Sequence, residues 1–165
     1  MENQAINNLY DLVNNFDVAM LVTHRGARLH ARPMTIARLE KEMHVAYLVT
    51  DINSIKVDEI SANPYVLLTF QDAIRFVSIS GELVIELDCD LIEEMWKESW
   101  TVWFPKGKSD SSIALLKFTS YEGEFWDNAG IQGVKFVYSA VKALVTGDIP
   151  KVNSDQHSTV ALSKK

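Results

Sequence analysis

One cysteine, Cys89, stands in a chain of 165 residues, which excludes an internal disulfide and any thiolate metal cluster. Cations are scarce as well. Sixteen Lys and Arg against 22 Asp and Glu leave a net charge of −6. That balance repels phosphate backbones and anionic headgroups, so neither nucleic acid nor a membrane surface is an expected partner. Nowhere do ~18 apolar residues run together, so no membrane-spanning helix is expected. The opening MENQAINNLYDLV has no basic flank and no long apolar run, so no signal peptide is expected and a cytoplasmic location follows. His24, His30, His44 and His157 lack metal-ligand spacing, and no metal is expected. No G-x-G-x-x-G follows a strand, which disfavours a dinucleotide-binding parallel sheet. No nucleophile–base pair supports hydrolase chemistry, and the catalytic residues, if any, are not assigned.

What is present is the material of a packed core. Hydrophobic residues make up 47% of the chain, with four Trp, five Tyr and seven Phe. The length suits one domain, drawn over residues 1–150, with 151–165 as a tail packed on it or extending from it. Ile6, Leu9, Tyr10 and Val13 recur at helical spacing, which predicts an amphipathic helix over 2–15. Residues 18–23, 29–39 and 43–49 read as strands, the first two joined by a turn around Gly26. Pro33 cannot donate to a ladder, so its strand is an edge, bulged or interrupted there. SIKVDEISAN predicts a short helix stopped by Asn63-Pro64. Residues 65–71 and 76–87 read as two more strands, with Gly81 marking a bulge or a close backbone contact. Asp88 or Asp90 caps a helix carrying Leu91, Ile92, Met95 and Trp96. Glu93 and Glu94 with Lys97 read as a solvated helix face with i, i+4 pairing. Residues 112–127 read as a strand pair or one bent strand, and 132–145 as a helix with Val134, Val137, Tyr138, Val141 and Leu144 on one face, stopped by Gly147.

Consecutive strands joined by tight turns pair antiparallel, and five to seven of them tend to close on themselves. The fold expectation is therefore mainly β (α+β): a small antiparallel barrel with peripheral helices.

Against the acidic background a small basic cluster stands out in HARPMT and TDINSIK. A lone Arg on a strand is usually a solvated surface residue, and a Ser at a helix start is usually only a cap. Lys56 changes the balance. A cation in the first turn of a helix faces the positive end of the helix dipole. A bound anion, best a phosphate monoester, would relieve that mismatch with help from the free N–H groups of the helix start. Arg32, Ser54 and Lys56 are thus candidate anion ligands, and Thr50 could add a hydroxyl.

The order strand–RPMT–strand–T-x-x-x-S-x-K–helix, then a strand ending V-S-I-S-G, resembles the flavin-binding split-barrel proteins related to pyridoxamine 5′-phosphate oxidase, in their general stress protein 26-like branch. The resemblance runs over about residues 5–150 and includes Trp100 to Pro105 and the EFWD segment. It implies an antiparallel split β-barrel with FMN as cofactor, whose phosphate is bound by Arg32 and Lys56 with Ser54. It also implies that Pro33, Met34 and Thr35 run along the flavin ring, that Thr50 borders it, and that the flavin sits between the chains of a homodimer. The implied activity is flavin-dependent oxidoreduction of a small molecule in the general stress response, and the alternative is a non-catalytic flavin carrier, buffer or sensor. FAD, a deazaflavin or haem are other ligands such a barrel could take, haem being disfavoured by the lack of a clear axial His.

Departures from the oxidase itself are specific. Ile55 stands where the oxidase has an Arg, Phe76 where it has a Gln, and no arginine-rich segment follows residue 126. Oxidation of pyridoxamine 5′-phosphate is not expected. Aromatics in a small barrel mostly serve packing. Of these, Trp103, in the exposed-looking WFPKGKSD, is the better ligand candidate; Trp126 is the better core candidate, though it could also wall the flavin site.

Overall fold

The computed structural model describes residues 2–42, 44–127 and 157–162. The chain runs α1 (Glu2–Val13), β1 (Val18–Arg25), β2 (Arg28–Glu40), β3 (Val45–Asp51), α2 (Ile55–Ala62), β4 (Tyr65–Gln71), β5 (Arg75–Glu86), α3 (Cys89–Met95), β6 (Ile113–Asp127) and β7 (His157–Ala161). Two 3-10 turns, Glu98–Val102 and Gly107–Ser109, link α3 to β6. The helix expected over 132–145, with its stop at Gly147, lies outside the described residues.

All neighbouring strands pair antiparallel, in the order β3-β2-β1-β4-β5-β6-β7, and a further β3–β6 ladder closes six of them into a ring. The fold is a mainly β, antiparallel split β-barrel with peripheral helices. Its tight connections have local causes. Gly26 takes φ +60° in the two-residue link between Arg25 and Arg28, the left-handed backbone a hairpin turn needs. At Gly81 the β5–β6 register shifts, and a Cβ there would lie 2.3 Å from the Thr119 carbonyl oxygen. The bulge read at that position is real, and only glycine admits such an approach. Residues 113–127 form one continuous strand, so of the two readings of this segment the single strand holds.

β6 serves two partners along one edge. Its first half, Ile113–Thr119, pairs with β3, and Glu122–Trp126 pairs with β7. β2 divides in the same way. Its residues 28–35 pair with β1, and β3 joins only from Ile36 onward, after which the register shifts before Arg38. Pro33 therefore lies where β2 has pairing on one side, which is the open edge its missing N–H requires.

Inside the ring Leu21, Leu48, Leu68, Leu83, Phe118 and Phe125 pack with Leu9, Tyr10 and Val13 of α1. α1 thus buries the face that its 3.6-residue periodicity marks. A second cluster lies outside the ring, where Val45, Tyr47 and Val49 meet Ile92, Met95, Trp100 and Phe104. β3 is buried on both faces for this reason, which explains its nearly unbroken apolar run. Asp88 is the N-cap of α3, its side chain accepting from the N–H groups of Asp90 and Leu91. The i, i+4 pairing expected around Lys97 does not form. α3 ends at Met95, and Glu93 pairs instead with Lys108 while Glu94 pairs with Arg38 at 2.8 Å. Lys97 is turned toward the Ile36 carbonyl. None of the described helices is long and apolar enough to cross a membrane.

Candidate functional site

The site sits where β2 and β3 part. Their ladder reaches Ile36–Leu48 and stops there. The next residues on each strand, Thr35 back to Pro33 and Val49 on to Asp51, line opposite sides of a cavity of about 600 Å³. Val18 of β1, Lys56 in the first turn of α2, and Trp103 and Phe104 complete its lining. Two strands that diverge leave backbone edges and side chains facing a common gap. Among the described residues no strand pairs with the gap-facing edge of Pro33–Thr35. The remaining walls are apolar or aromatic, with Phe104 buried and Trp103 61% exposed. A flat, ring-shaped ligand with a few polar atoms suits such a lining.

Polar groups gather at the α2 end. Lys56 Nζ donates to Thr50 Oγ1 at 3.0 Å, and Thr50 Oγ1 lies 3.2 Å from Ser54 Oγ. Ser54 holds the N-cap position of α2, but its hydroxyl donates to the Asp51 carbonyl at 2.7 Å and caps no helical N–H. The Asp51 carboxylate accepts from the backbone and side chain of Asn53. Among the described residues no carboxylate comes within 4.0 Å of Lys56 Nζ. Burial, and next the Arg32 charge, depress the Lys56 pKa, more than Asp51 and Glu59 raise it. Lys56 is thus a partly desolvated cation near a second cation and, among the described residues, without an ion-pair partner. That is the state a phosphate group stabilises.

Arg32 is placed differently. It is absent from the cavity lining. Its guanidinium donates through Nη2 to Glu59 Oε2 at 2.6 Å and through Nη1 to the Thr23 hydroxyl. The Thr23 hydroxyl donates in turn to Glu59 Oε2 at 2.6 Å, and His30 Nδ1 meets Glu59 Oε1 at 2.9 Å. Burial is the largest influence on the Glu59 carboxyl and pushes its pKa up. The hydrogen bonds from Thr23, Arg32 and His30, with the Arg32 charge, outweigh it and hold the pKa below the ordinary value.

The structure therefore brings Pro33, Met34, Thr35, Thr50, Lys56 and Trp103 together around one cavity and sets Ser54 against Thr50 at its margin. It does not bring Trp126 there. Trp126 lies near the end of β6, 37% exposed rather than in the core, stacked on His157 at 4.9 Å. Sequence reasoning missed Val18, Val49, Asp51 and Phe104 as lining residues, and it missed the Thr23–Glu59 pair altogether. For Glu59 there was a signal: it follows Lys56 by three residues and so shares its side of α2.

The sequence matches the family described as "Pyridoxamine 5′-phosphate oxidase like" over residues 4–151. No curated protein matches it. Several solved structures share the fold. A general stress protein 26 candidate from Jannaschia sp. CCS1 is 23% identical, with 96% of this chain and 99% of that one covered at TM-score 0.73. General Stress Protein 26 from Bacillus anthracis str. Sterne is 22% identical, covering 73% and 92% at TM-score 0.66. The general stress FMN/FAD binding protein from Xanthomonas citri is also 22% identical, covering 78% and 89% at TM-score 0.62. At such identities the structures establish the shared fold, and the match over residues 4–151 establishes the kinship: the chain belongs to the pyridoxamine 5′-phosphate oxidase-like family.

Proposed function

We propose that the cavity between β2 and β3 binds FMN and that the protein is a flavin-dependent oxidoreductase of a small molecule. The observation that carries this reading is Lys56, a half-buried cation with no carboxylate within 4.0 Å among the described residues, at one end of a largely apolar cavity. The group fits the residues present. A phosphate monoester answers the charge of Lys56 and can accept from the Thr50 and Ser54 hydroxyls. Pro33, Met34 and Thr35 offer a strand edge for the polar rim of the ring, and Trp103 offers an aromatic face. A relative named as an FMN/FAD binding protein supports flavin as the ligand. FMN is preferred to FAD because the polar end holds a single cation among its lining residues, suited to a terminal phosphate. Names of relatives in the general stress group support a role in stress physiology.

When bound, the flavin supplies the redox chemistry. The chain's own part is to hold the phosphate at Lys56, to orient the ring along β2 and to exclude water with Trp103 and Phe104. Exposed apolar side chains at Val18, Leu29, Val102 and Trp103, with the one-sided edge of β2, support a homodimer that covers the cavity.

The test is a pair of titrations. Wild-type protein should bind FMN, quench its fluorescence, and prefer it to riboflavin. Lys56→Ala should weaken FMN binding about ten- to a hundredfold, the loss of a hydrogen bond to a charged group, and leave riboflavin binding nearly unchanged. No flavin binding by wild-type protein, or equal losses for both ligands, would overturn the reading. A second reading, a non-catalytic flavin carrier, draws on one observation: Asp51 and Lys56 are the titratable groups of the lining, and Asp51 is engaged by Asn53. Anaerobic mixing of the FMN-bound protein with NADH or NADPH separates the two. Rapid bleaching supports the enzyme, and a flavin that stays oxidised supports the carrier.

A further inference from the structure

Glu59 is among the few charged side chains buried in the described residues, 5% exposed on α2. A carboxylate taken from water needs donors on both oxygens to remain ionised. It receives them from three residues on two strands: Thr23 on β1, and His30 and Arg32 on β2. The elements that meet at this carboxylate are the ones that build the phosphate end of the cavity. β2 continues from Arg32 into Pro33–Thr35, and α2 carries Lys56 one turn before Glu59.

The effect on Arg32 is geometric. Two of its five N–H donors are fixed, Nη2 on Glu59 and Nη1 on Thr23, so the planar guanidinium is locked against rotation. The other three donors have no partner among the described residues. Held without the clamp, a long flexible cation would have to be ordered each time an anion arrives, and the two neighbouring cations would repel each other. Glu59 answers both difficulties. Its negative charge also favours the protonated form of Lys56, against the opposite influence of Arg32.

We propose that Glu59, together with Thr23, is the positioning residue of the phosphate site: it fixes the Arg32 guanidinium outside the cavity lining but near its Lys56 end, so that a phosphate ester held by Lys56 meets a second cation already oriented. This inference rests on the flavin-phosphate reading and adds to it a residue that need not touch the ligand. Because Glu59 acts through Arg32, its removal should erase discrimination between FMN and riboflavin and spare ring binding. A purely structural role would weaken both flavins alike.

The experiment titrates FMN and riboflavin into wild-type protein and into Glu59→Leu, Glu59→Gln and Thr23→Val, with thermal melting to certify folding. Glu59→Leu should lower the preference for FMN about tenfold and change riboflavin affinity less than about twofold. Glu59→Gln keeps an acceptor for Arg32 and should restore most of the preference. Thr23→Val, close in shape, should fall between wild type and Glu59→Leu. A Glu59→Leu protein that keeps the wild-type preference, or that loses both flavins equally, overturns the inference. If Glu59→Leu does not fold, Thr23→Val decides, and an unchanged ratio there overturns it. Wild-type protein with no preference for FMN would instead remove the phosphate reading itself and this inference with it, a result visible before any variant is made.

Discussion

Replacing Arg32 with alanine leaves the Glu59 carboxylate buried without its cation. The Glu59 side chain is 4% exposed and that of Arg32 19%, so little water can take the guanidinium's place. Breaking a buried pair by removing one partner costs about 3–5 kcal/mol. Thr23 and His30 still donate to Glu59, which places Arg32→Ala at the lower end, about 3 kcal/mol. For a chain of this size each kcal/mol lowers the melting temperature by about 2–4 °C, so the expected loss is about 6–12 °C near neutral pH. The pH dependence sharpens the test. In the wild type the Glu59 pKa is held below its ordinary value of 4.5. A depressed folded-state pKa contributes stability above the ordinary value, lost as pH falls through the folded pKa. In the variant the lowering hydrogen bond and charge of Arg32 are gone while burial remains, so the pKa rises relative to wild type and acid relieves the penalty by protonating the carboxyl. The melting gap between the two proteins should therefore narrow as pH falls from neutral toward about 4. Scanning calorimetry at both ends of that range is the assay. A variant that melts within ~2 °C of wild type near neutral pH, or a gap constant across the range, would refute the reasoning.

Gly81→Ala should destabilise the fold by about 1–3 kcal/mol, since its Cβ would meet the Thr119 carbonyl at 2.3 Å and the Phe118 ring at 2.6 Å; chemical denaturation measures it, and an unchanged midpoint would count against the close approach. Pyridoxamine 5′-phosphate should not be converted to the aldehyde by FMN-loaded protein, given Ile55 and Phe76; robust product formation contradicts this. Light scattering of the FMN-bound protein should give twice the 18.6 kDa chain mass, and a monomeric mass would remove the homodimer.

The barrel was legible where the backbone imposes its own rules. Pro33 cannot donate a ladder bond, and it stands on the stretch of β2 that β3 leaves unpaired. Gly81 breaks an alternating run, and the register shift lies there. Such residues carry their structural consequence alone. Helix-face pairing does not. Glu93, Glu94 and Lys97 have the right spacing for i, i+4 contacts, yet α3 ends at Met95 and the acids turn to Lys108 and Arg38. Exposed ion pairs contribute too little to resist a nearer tertiary partner. Nothing in HSTVA marks β7, since five mixed polar and small residues form a strand only when an edge such as that of β6 is offered.

The two candidate cations show where local reading ends. Lys56 is singled out in the sequence by its place in the first turn of a helix, facing the positive end of the dipole, and Arg32 by belonging to the same small basic cluster. For Lys56 the argument survives folding, because α2 sets it against Thr50 at the cavity and no carboxylate reaches it among the described residues. Arg32 has a partner that no local pattern announces. Glu59 lies 27 positions away and reads in DEISAN as one acid on a helix surface. Only the docking of α2 over β1 and β2 buries it, and a buried carboxylate recruits whatever cation the neighbouring strand presents. A phosphate at this site would be recognised by one free cation and one already committed, so the two residues contribute different amounts to affinity and to stability. Lys56→Ala should show its effect in FMN binding alone, Arg32→Ala both in melting and in a reduced preference for FMN over riboflavin.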